Sequence, residues 1–333
     1  MQEPAVATRG GKCFYHERRR GLRRPAEPQS PIPLKPSRRH RIAQLLLWIT
    51  PALWSSNYII ARASDGVIAP HALALGRWTL ALALLLPLSG GALVTGFAQW
   101  KGEWKQILLL GALGMWICGA FVYQGAHTTS ATNIGLIYAA TPVAIAFAST
   151  KLLHERFSAW QRAGMALALG GVVFVIAKGD LANLRAVRFT VGDLWILVAA
   201  VSWVAYTVLL QRWPSALGPT PRLAAITFGG VLVLLPFAAF EAAFQPGPAF
   251  SGKALLLIVL AGLLPGFFSY QAYGYMLREL GAARSSLVMY LAPVYAAFTA
   301  WALLGEAPRW YHAVGAALIL PAIYLATRKG ATH

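Results

Sequence analysis

The chain alternates between long apolar runs and short breaks that contain charged residues, glycine or proline. A helix needs about 20 mostly apolar residues to cross the hydrocarbon core of a bilayer, and about ten runs approach or reach that length. The pattern predicts an all-α, polytopic membrane protein with about ten transmembrane helices. The predicted spans are residues 42–61, 71–88, 107–126, 134–153, 161–177, 193–211, 222–244, 254–276, 285–304 and 310–327.

Lysine and arginine are unevenly distributed among the loops between these spans. If the N-terminus is cytoplasmic, fifteen Lys/Arg fall on the cytoplasmic side and six on the opposite side. Arg77 is left out because it lies inside a predicted span. Because cytoplasmic loops carry the excess of basic residues, both termini are predicted to be cytoplasmic, in a bacterial inner membrane.

An internal repeat divides the chain into two related halves. The spacing Pro-x12-Glu-x8-Gly occurs twice, 151 residues apart. Each half then holds five spans, and an odd number inverts the second half relative to the first, which is a transporter architecture. The repeats are predicted at residues 42–178 and 192–328. The two copies of the motif are Pro142, Glu155 and Gly164, and Pro293, Glu306 and Gly315.

Composition supports a membrane protein with a basic tail. Of 333 residues 57% are apolar and 12% are charged, and the formal charge is +18. Residues 1–41 hold 11 of the 29 Lys/Arg and are rich in proline, which predicts a disordered cytoplasmic tail. Orientation of the first helix is the favoured role of the tail, and specific binding to lipid or nucleic acid is the alternative. A nucleic-acid partner is not expected, because the basic residues do not gather on one folded face.

The repeated motif suggests structural roles with open alternatives. Pro142 and Pro293 remove a backbone hydrogen bond, so each predicts a kink, a gating hinge or both. Glu155 and Glu306 lie at helix ends, where loop anchoring or ion pairing is favoured over proton coupling. Small residues at four-residue spacing predict close helix packing. They are Ala140, Ala144 and Ala148 in the fourth span and Ala292, Ala296 and Ala300 in the ninth.

Polar and aromatic side chains inside the spans are candidates for a solute pathway. Arg77 lies about two turns into the second span, where it either faces a substrate or snorkels to the interface. Trp54 and Asn57 share a helix face, as do Trp203 and Tyr206. For any one of these side chains, the alternative roles to lining a solute pathway are helix packing and an aromatic belt at the membrane interface. The candidates are Trp54, Asn57, Arg77, Tyr123, Gln124, Tyr138, Trp203, Tyr206, Tyr270, Gln271 and Tyr290.

At these motifs the chain resembles the EamA family of the drug/metabolite transporter superfamily. The resemblance covers roughly residues 44–329. It rests on Trp54-x-x-Asn57, on Arg77 in GRWTLALALLL, on the Leu-x-Glu blocks at Glu155 and Glu306, and on the segment GDLWILVAAVSWVAYTVLLQR that opens the second half. The resemblance implies ten helices in two five-helix repeats. It also implies secondary transport, with export of amino acids, metabolites or drug-like compounds.

Other classes of function have weaker support. The sequence contains no Walker-type phosphate-binding loop and no large extramembrane region for a nucleotidase, so this chain does not hydrolyse ATP. No His/Cys/Asp/Glu set has ligand spacing, so neither a metal, a cofactor nor an enzyme is expected. A receptor or scaffold and an intramembrane enzyme are the alternatives. The expected partners are membrane lipid and a small-molecule substrate. Substrate identity, coupling ion, direction and oligomeric state stay open.

Overall fold

The computed structural model describes residues 38–96, 100–244, 251–304 and 309–327, and the regular structure in these ranges is helical. The connections include the short helical pieces Ala92–Thr95 and Leu181–Ala186, and they join ten longer helical segments. They are α1 (Arg38–Ala63), α2 (Pro70–Leu88), α3 (Lys101–Ala126), α4 (Ala131–Ala139 and Thr141–Leu152), α5 (Ala159–Ile176), α6 (Val191–Arg212), α7 (Pro219–Phe244), α8 (Gly252–Leu280), α9 (Ala282–Ser286, Leu287–Leu291 and Ala292–Leu304) and α10 (Trp310–Thr327).

These segments coincide with the ten predicted spans to within a few residues, apart from the earlier start of α3. In the described part of the chain, seven of the helices are long and apolar enough to cross a membrane, from α2 to α8. α10 is a shorter apolar helix, and α9 is interrupted. The predicted fold class, an all-α polytopic membrane protein, is confirmed.

Two segments in equivalent positions of the two halves are interrupted next to a proline. α4 is broken at Ala140, and Pro142 lies in the first turn of its second piece. α9 passes through the 3₁₀ stretch Leu287–Leu291, and Pro293 lies in the first turn of the helix that follows. Proline is tolerated there because its missing N–H would have no partner in a first turn. The regular α-helix of both spans is therefore interrupted at the same place.

The prediction for the alanine stripe of the fourth span is wrong at two of its three positions, and the third, Ala148, is half-buried. Ala140 and Ala144 are exposed, whereas the neighbouring Pro142, Ile145 and Ser149 are buried. Small side chains need no partner on a lipid-facing surface, so their spacing alone does not identify a contact face. In the ninth span Ala292 is half-buried, and the side chains of Ala296 and Ala300 lie outside the described part.

α3 and α8 also occupy equivalent positions, and each contains one π-helical turn. The turns span Ala112–Ile117 and Gly262–Phe268. A π turn is wider than an α turn and is often found at functional sites. In α3 a side chain from the other half bonds this region, because Ser202 Oγ donates to the carbonyl of Leu113 over 2.8 Å.

The packing of α5 against α10 shows that the halves are inverted. A Cβ added at Gly164 would lie 2.6 Å from the carbonyl oxygen of Ala322, and one at Gly171 would lie 3.3 Å from that of Gly315. The contact thus moves backwards along α10 as it moves forwards along α5, so the two helices are antiparallel. Because α5 and α10 hold the same place in their repeats, one half is upside down relative to the other.

Candidate functional site

A cavity of about 460 Å³, here called the central cavity, lies between the two halves. Trp54 and Tyr138 line it from the first half, and Trp203, Tyr270 and Met289 line it from the second. Its walls extend from the middle of α1 to the end of the bundle where α1 finishes. The cavity is therefore large enough for a small organic molecule and is built jointly by both repeats.

Arg77 forms the polar wall of the central cavity and is only 4% exposed. Its Nη1 donates to Asn57 Oδ1 over 3.2 Å and to the Tyr123 hydroxyl over 3.0 Å, and its Nη2 donates to the carbonyl of Pro265 over 2.8 Å. The Tyr123 hydroxyl in turn donates to Asn57 Oδ1 over 2.8 Å. Arg77 therefore does not snorkel to the interface, and it joins the first half to the π turn of α8.

Two glycines allow α2 and α8 to approach closely enough for this contact. A Cβ at Gly262 would lie 3.1 Å from the carbonyl oxygen of Arg77, and one at Gly76 would lie 2.8 Å from Ile258 Cδ1. Any larger side chain would push the helices apart. The Arg77 guanidinium would then lose the Pro265 carbonyl as an acceptor.

Five aromatic side chains form a cluster at the inner boundary of the central cavity, here called the aromatic plug. The Trp203 ring lies 5.3 Å from Trp54, 5.4 Å from Tyr206, 5.6 Å from Tyr270 and 5.0 Å from Tyr273, measured between centroids. Such pairs contribute roughly 0.5–1.5 kcal/mol each beyond their burial. The plug is therefore a well-packed barrier.

A second cavity of about 300 Å³ lies on the other side of the plug, at the end of the bundle where α6 finishes. Tyr206, Tyr270 and Gln271 are part of its wall. Arg222 also lines it, and its guanidinium donates to the carbonyls of Leu210 over 3.0 Å and of Trp213 over 2.7 Å. Arg222 thus caps the last turn of α6, which is a structural role.

At this same end, Glu155 joins the two halves. Its Oε1 accepts from the backbone N–H of Ala282 over 3.0 Å, and its Oε2 accepts from that of Ala283 over 3.4 Å. The carboxylate thus caps the start of α9. Gly281, with φ 85° and ψ 169°, shapes the chain for this contact, called the Glu155 contact below. The structure supports the anchoring interpretation. Glu306 lies outside the described residues.

Two buried carboxylates that the sequence did not single out hold the opposite end together. Glu241 on α7 accepts from His71 Nδ1 over 3.0 Å and from the backbone N–H of His71 and Ala72 over 2.9 and 3.0 Å, so it caps α2. Asp193 accepts from the Thr129 hydroxyl and from Asn133 Nδ2. Both lie near the ends of predicted spans, and this position was the only indication in the sequence that they could hold helix ends together. Neither lines the central cavity.

The structure separates the predicted pathway residues into three groups. Six line the central cavity, two lie only on the second cavity, and three line neither. In the last group, the Tyr123 hydroxyl accepts a hydrogen bond from Arg77 without lining the cavity itself. Gln124 is half-buried, and Tyr290 is fully buried beside α5 and α10. In order, the groups are Trp54, Asn57, Arg77, Tyr138, Trp203 and Tyr270; Tyr206 and Gln271; and Tyr123, Gln124 and Tyr290.

The sequence missed other residues of the central cavity. Met289, Cys118 and Tyr58 line it, although nothing in their local pattern distinguishes them from packing residues. Arg62 and Lys178 also line it, and from the sequence they are two of the six basic residues assigned to the loops opposite the cytoplasm. These positions become neighbours only when the two halves are assembled.

Comparisons with known proteins agree with the division of the chain into two related halves. The model of the EamA-like transporter family matches residues 41–177 and residues 190–328, once in each half. An uncharacterized transporter of Archaeoglobus fulgidus is 26% identical over 286 residues, covering 86% of this chain and 97% of its own. A probable terminal-alkyne amino-acid exporter of Streptantibioticus cattleyicolor is 28% identical, covering 85% and 92%.

A more distant relative and a solved structure extend the comparison. An S-adenosylmethionine/S-adenosylhomocysteine transporter of Chlamydia trachomatis is 24% identical and covers 82% of this chain and 86% of its own. One crystal structure superposes with a TM-score of 0.69 at 21% identity, covering 86% of this chain and 96% of the other. At that identity the superposition shows the fold alone.

Proposed function

Because this chain belongs to the EamA-like transporter family, we propose that it exports a small organic solute across the plasma membrane by alternating access between its two inverted repeats. The chain is a multi-pass membrane transporter and not an enzyme. The observation that carries the proposal is the central cavity, which both halves build and which the aromatic plug closes at one end.

The described conformation corresponds to one state of such a cycle. The central cavity reaches the exposed side chains of Arg62 and Lys178 at one end, while the plug and the Glu155 contact close the other. With both termini cytoplasmic, the cavity faces the outside. In the opposite state the two halves exchange conformations, so the plug and the Glu155 contact open.

The backbone has places at which this exchange can occur. The moving bodies are the repeats at residues 42–178 and 192–328, and the basic segment 1–41 is cytoplasmic. Its last four residues, 38–41, already belong to α1 and not to the predicted disordered tail. The breaks in α4 and α9 and the π turns in α3 and α8 are sites of weakened helical bonding, where bending is easiest. Transport is driven by a gradient or is facilitated, without ATP.

The solute binds between the polar and the aromatic walls of the central cavity. Arg77 and Asn57 provide polar contacts, and Trp54, Tyr138 and Trp203 provide flat apolar surface. This combination suits an amphipathic molecule. Related proteins described as an amino-acid exporter and an S-adenosylmethionine/S-adenosylhomocysteine transporter are consistent with a small organic solute.

A resistance screen followed by flux measurements tests the proposal. The protein is expressed in a sensitive bacterial strain that is challenged with toxic amino-acid analogues, dyes and drugs. The expected result is resistance to one chemical class, with accumulation of a labelled member of that class in inside-out vesicles. If expressed protein gives neither resistance nor solute-dependent flux with any class, the proposal is wrong.

Matched variants connect the flux to the central cavity. Trp54→Ala removes a cavity wall, and Arg77→Ala removes its buried charge. Trp48→Ala is the control, because Trp48 lies on the same helix but is 37% exposed on its outer surface. The first two changes should lower flux at equal expression, and the control should not. Equal flux in Trp54→Ala and Trp48→Ala would place the pathway elsewhere.

A further inference from the structure

The charged residues on the wall of the central cavity all have the same sign. Among the described residues that line it, Arg62, Arg77 and Lys178 are cationic, His312 is titratable, and none is a carboxylate. Ion pairs in the described part of the chain join other residues, such as Asp65 with His127 and Glu241 with His71. A cleft lined by one sign of charge concentrates solutes of the opposite sign.

Arg77 carries a buried positive charge that no described residue neutralises. Its three acceptors are an amide oxygen, a hydroxyl and a backbone carbonyl, which are all neutral. Its Nε has no acceptor in the described structure, and neither has the indole Nε1 of Trp203 on the same cavity wall. A buried charge with neutral partners is costly, so a negatively charged ligand would be favoured beside it.

The rest of the wall favours a ligand with an apolar body. Val122, Ile134 and Val172 contribute aliphatic surface, and Trp54 and Tyr138 contribute aromatic surface. An ammonium group would find no carboxylate among the described lining residues. The wall thus accommodates an anion with an apolar body better than it accommodates a zwitterion or a cation of the same size.

From these observations we propose that the central cavity selects an organic anion, a carboxylate with an aromatic or branched apolar body, and that Arg77 binds the carboxylate. The proposal rests on the proposed function and narrows its substrate class. Arg62 and Lys178, at the mouth, raise the local concentration of the anion. Zwitterionic amino acids and cationic drugs of equal size are then weak ligands.

The native Cys118 allows the electrostatic potential of the central cavity to be measured without a known substrate. Cys118 lines the central cavity, and Cys13→Ser removes the other cysteine of the chain. The purified Cys13→Ser protein in detergent micelles is treated with two methanethiosulfonates of similar size, the anionic sulfonatoethyl and the cationic trimethylammonium-ethyl reagent. Their rate ratio at Cys118 is divided by the ratio for a small free thiol.

The normalised ratio should favour the anionic reagent by about tenfold, which corresponds to ~1.4 kcal/mol. It should fall in the Arg62→Gln/Lys178→Gln variant, whose changes are exposed and leave the Arg77 contacts intact, and it should fall at high salt. A ratio at or below one would overturn the proposal. So would failure of both reagents to reach Cys118 in folded protein.

Ligand selectivity is tested by protection of Cys118 from a neutral maleimide. The ligands are 3-phenylpropanoate, 3-phenylpropanamide, L-phenylalanine and 2-phenylethylamine. The carboxylate should protect at a concentration at least about tenfold lower than the other three, and Arg77→Gln should abolish that difference. Arg77→Lys, which keeps the charge, should retain part of it. Protection by the zwitterion or the amine equal to that by the carboxylate would overturn the assignment.

Failure of the anion proposal is distinguishable from failure of the proposed transport function. A protein that transports nothing can still show anion-selective protection of Cys118, which would leave the charge assignment standing and refute transport. A transporter with measured flux but no preference for the carboxylate would refute the charge assignment alone.

Discussion

Replacing Gly281 with alanine should open the end of the bundle that the Glu155 contact closes. Gly281 has φ 85° and ψ 169°, a backbone conformation that is essentially restricted to glycine. An added Cβ would lie 2.8 Å from Glu155 Oε1, so the carboxylate would have to move away from the N–H groups of Ala282 and Ala283. The substitution therefore acts on the contact between the halves.

The expected size of the effect follows from these contacts. Two backbone hydrogen bonds to a carboxylate contribute roughly 1.5 kcal/mol each, which is about 3 kcal/mol together. A loss of about 3 kcal/mol lowers the ratio of the described state to its alternative roughly a hundredfold. A population that begins near 99% in the described state would then fall to about one half.

The assay is the rate at which an impermeant maleimide, added outside intact cells, labels Cys118 in the Cys13→Ser protein. Gly281→Ala should lower this rate by about half, because the central cavity then spends less time open to the outside. Gly274→Ala is the matched control, since an added Cβ there meets no atom within 4 Å. Equal rates in the two variants, with both folded by size-exclusion chromatography, would refute the reasoning.

Three further substitutions test other contacts. Gly315→Ala should lower the free energy of unfolding by about 1–3 kcal/mol, because the added Cβ would overlap α5. Gly170→Ala is the control, since its Cβ would lie in open space, and thermal melts compare the stabilities of the two variants. Glu241→Gln weakens the cap of α2 and should lower stability by about 1 kcal/mol, measured the same way, with unchanged stability contradicting it. Tyr123→Phe leaves an Arg77 donor without its acceptor and should raise the transport KM up to about tenfold; an unchanged KM would contradict that role.

Periodicity was sufficient to predict the fold because each span must satisfy its own backbone hydrogen bonds. The ten segments, their order and the breaks near Pro142 and Pro293 therefore correspond to local patterns. The exposed Ala140 shows the limit of such patterns, because residue size does not reveal which face meets lipid and which meets protein. Loop anchoring by Glu155, which the sequence favoured over proton coupling, agrees with the carboxylate that caps α9.

The candidate site could be predicted only in part. Polar residues inside apolar runs are costly, which is why Asn57 and Arg77 were recognisable from sequence. The hydrogen-bond partners of Arg77 could not be recognised from sequence, because the Pro265 carbonyl becomes available through a π turn in the other half of the chain. Gln124 and Tyr290 show the converse, since polar atoms in a span can also lie in helix packing away from either cavity.

The most direct test of the account locates equivalent loops of the two repeats relative to the membrane. Arg156 follows α4 and Arg309 precedes α10, at equivalent points of the two halves, and both are exposed. Single cysteines at these positions, in a protein without native cysteines, are treated with an impermeant maleimide on intact cells. The account predicts labelling at position 309 before lysis and at position 156 only after it. Labelling of both positions from the same side would contradict the inverted arrangement on which alternating access depends.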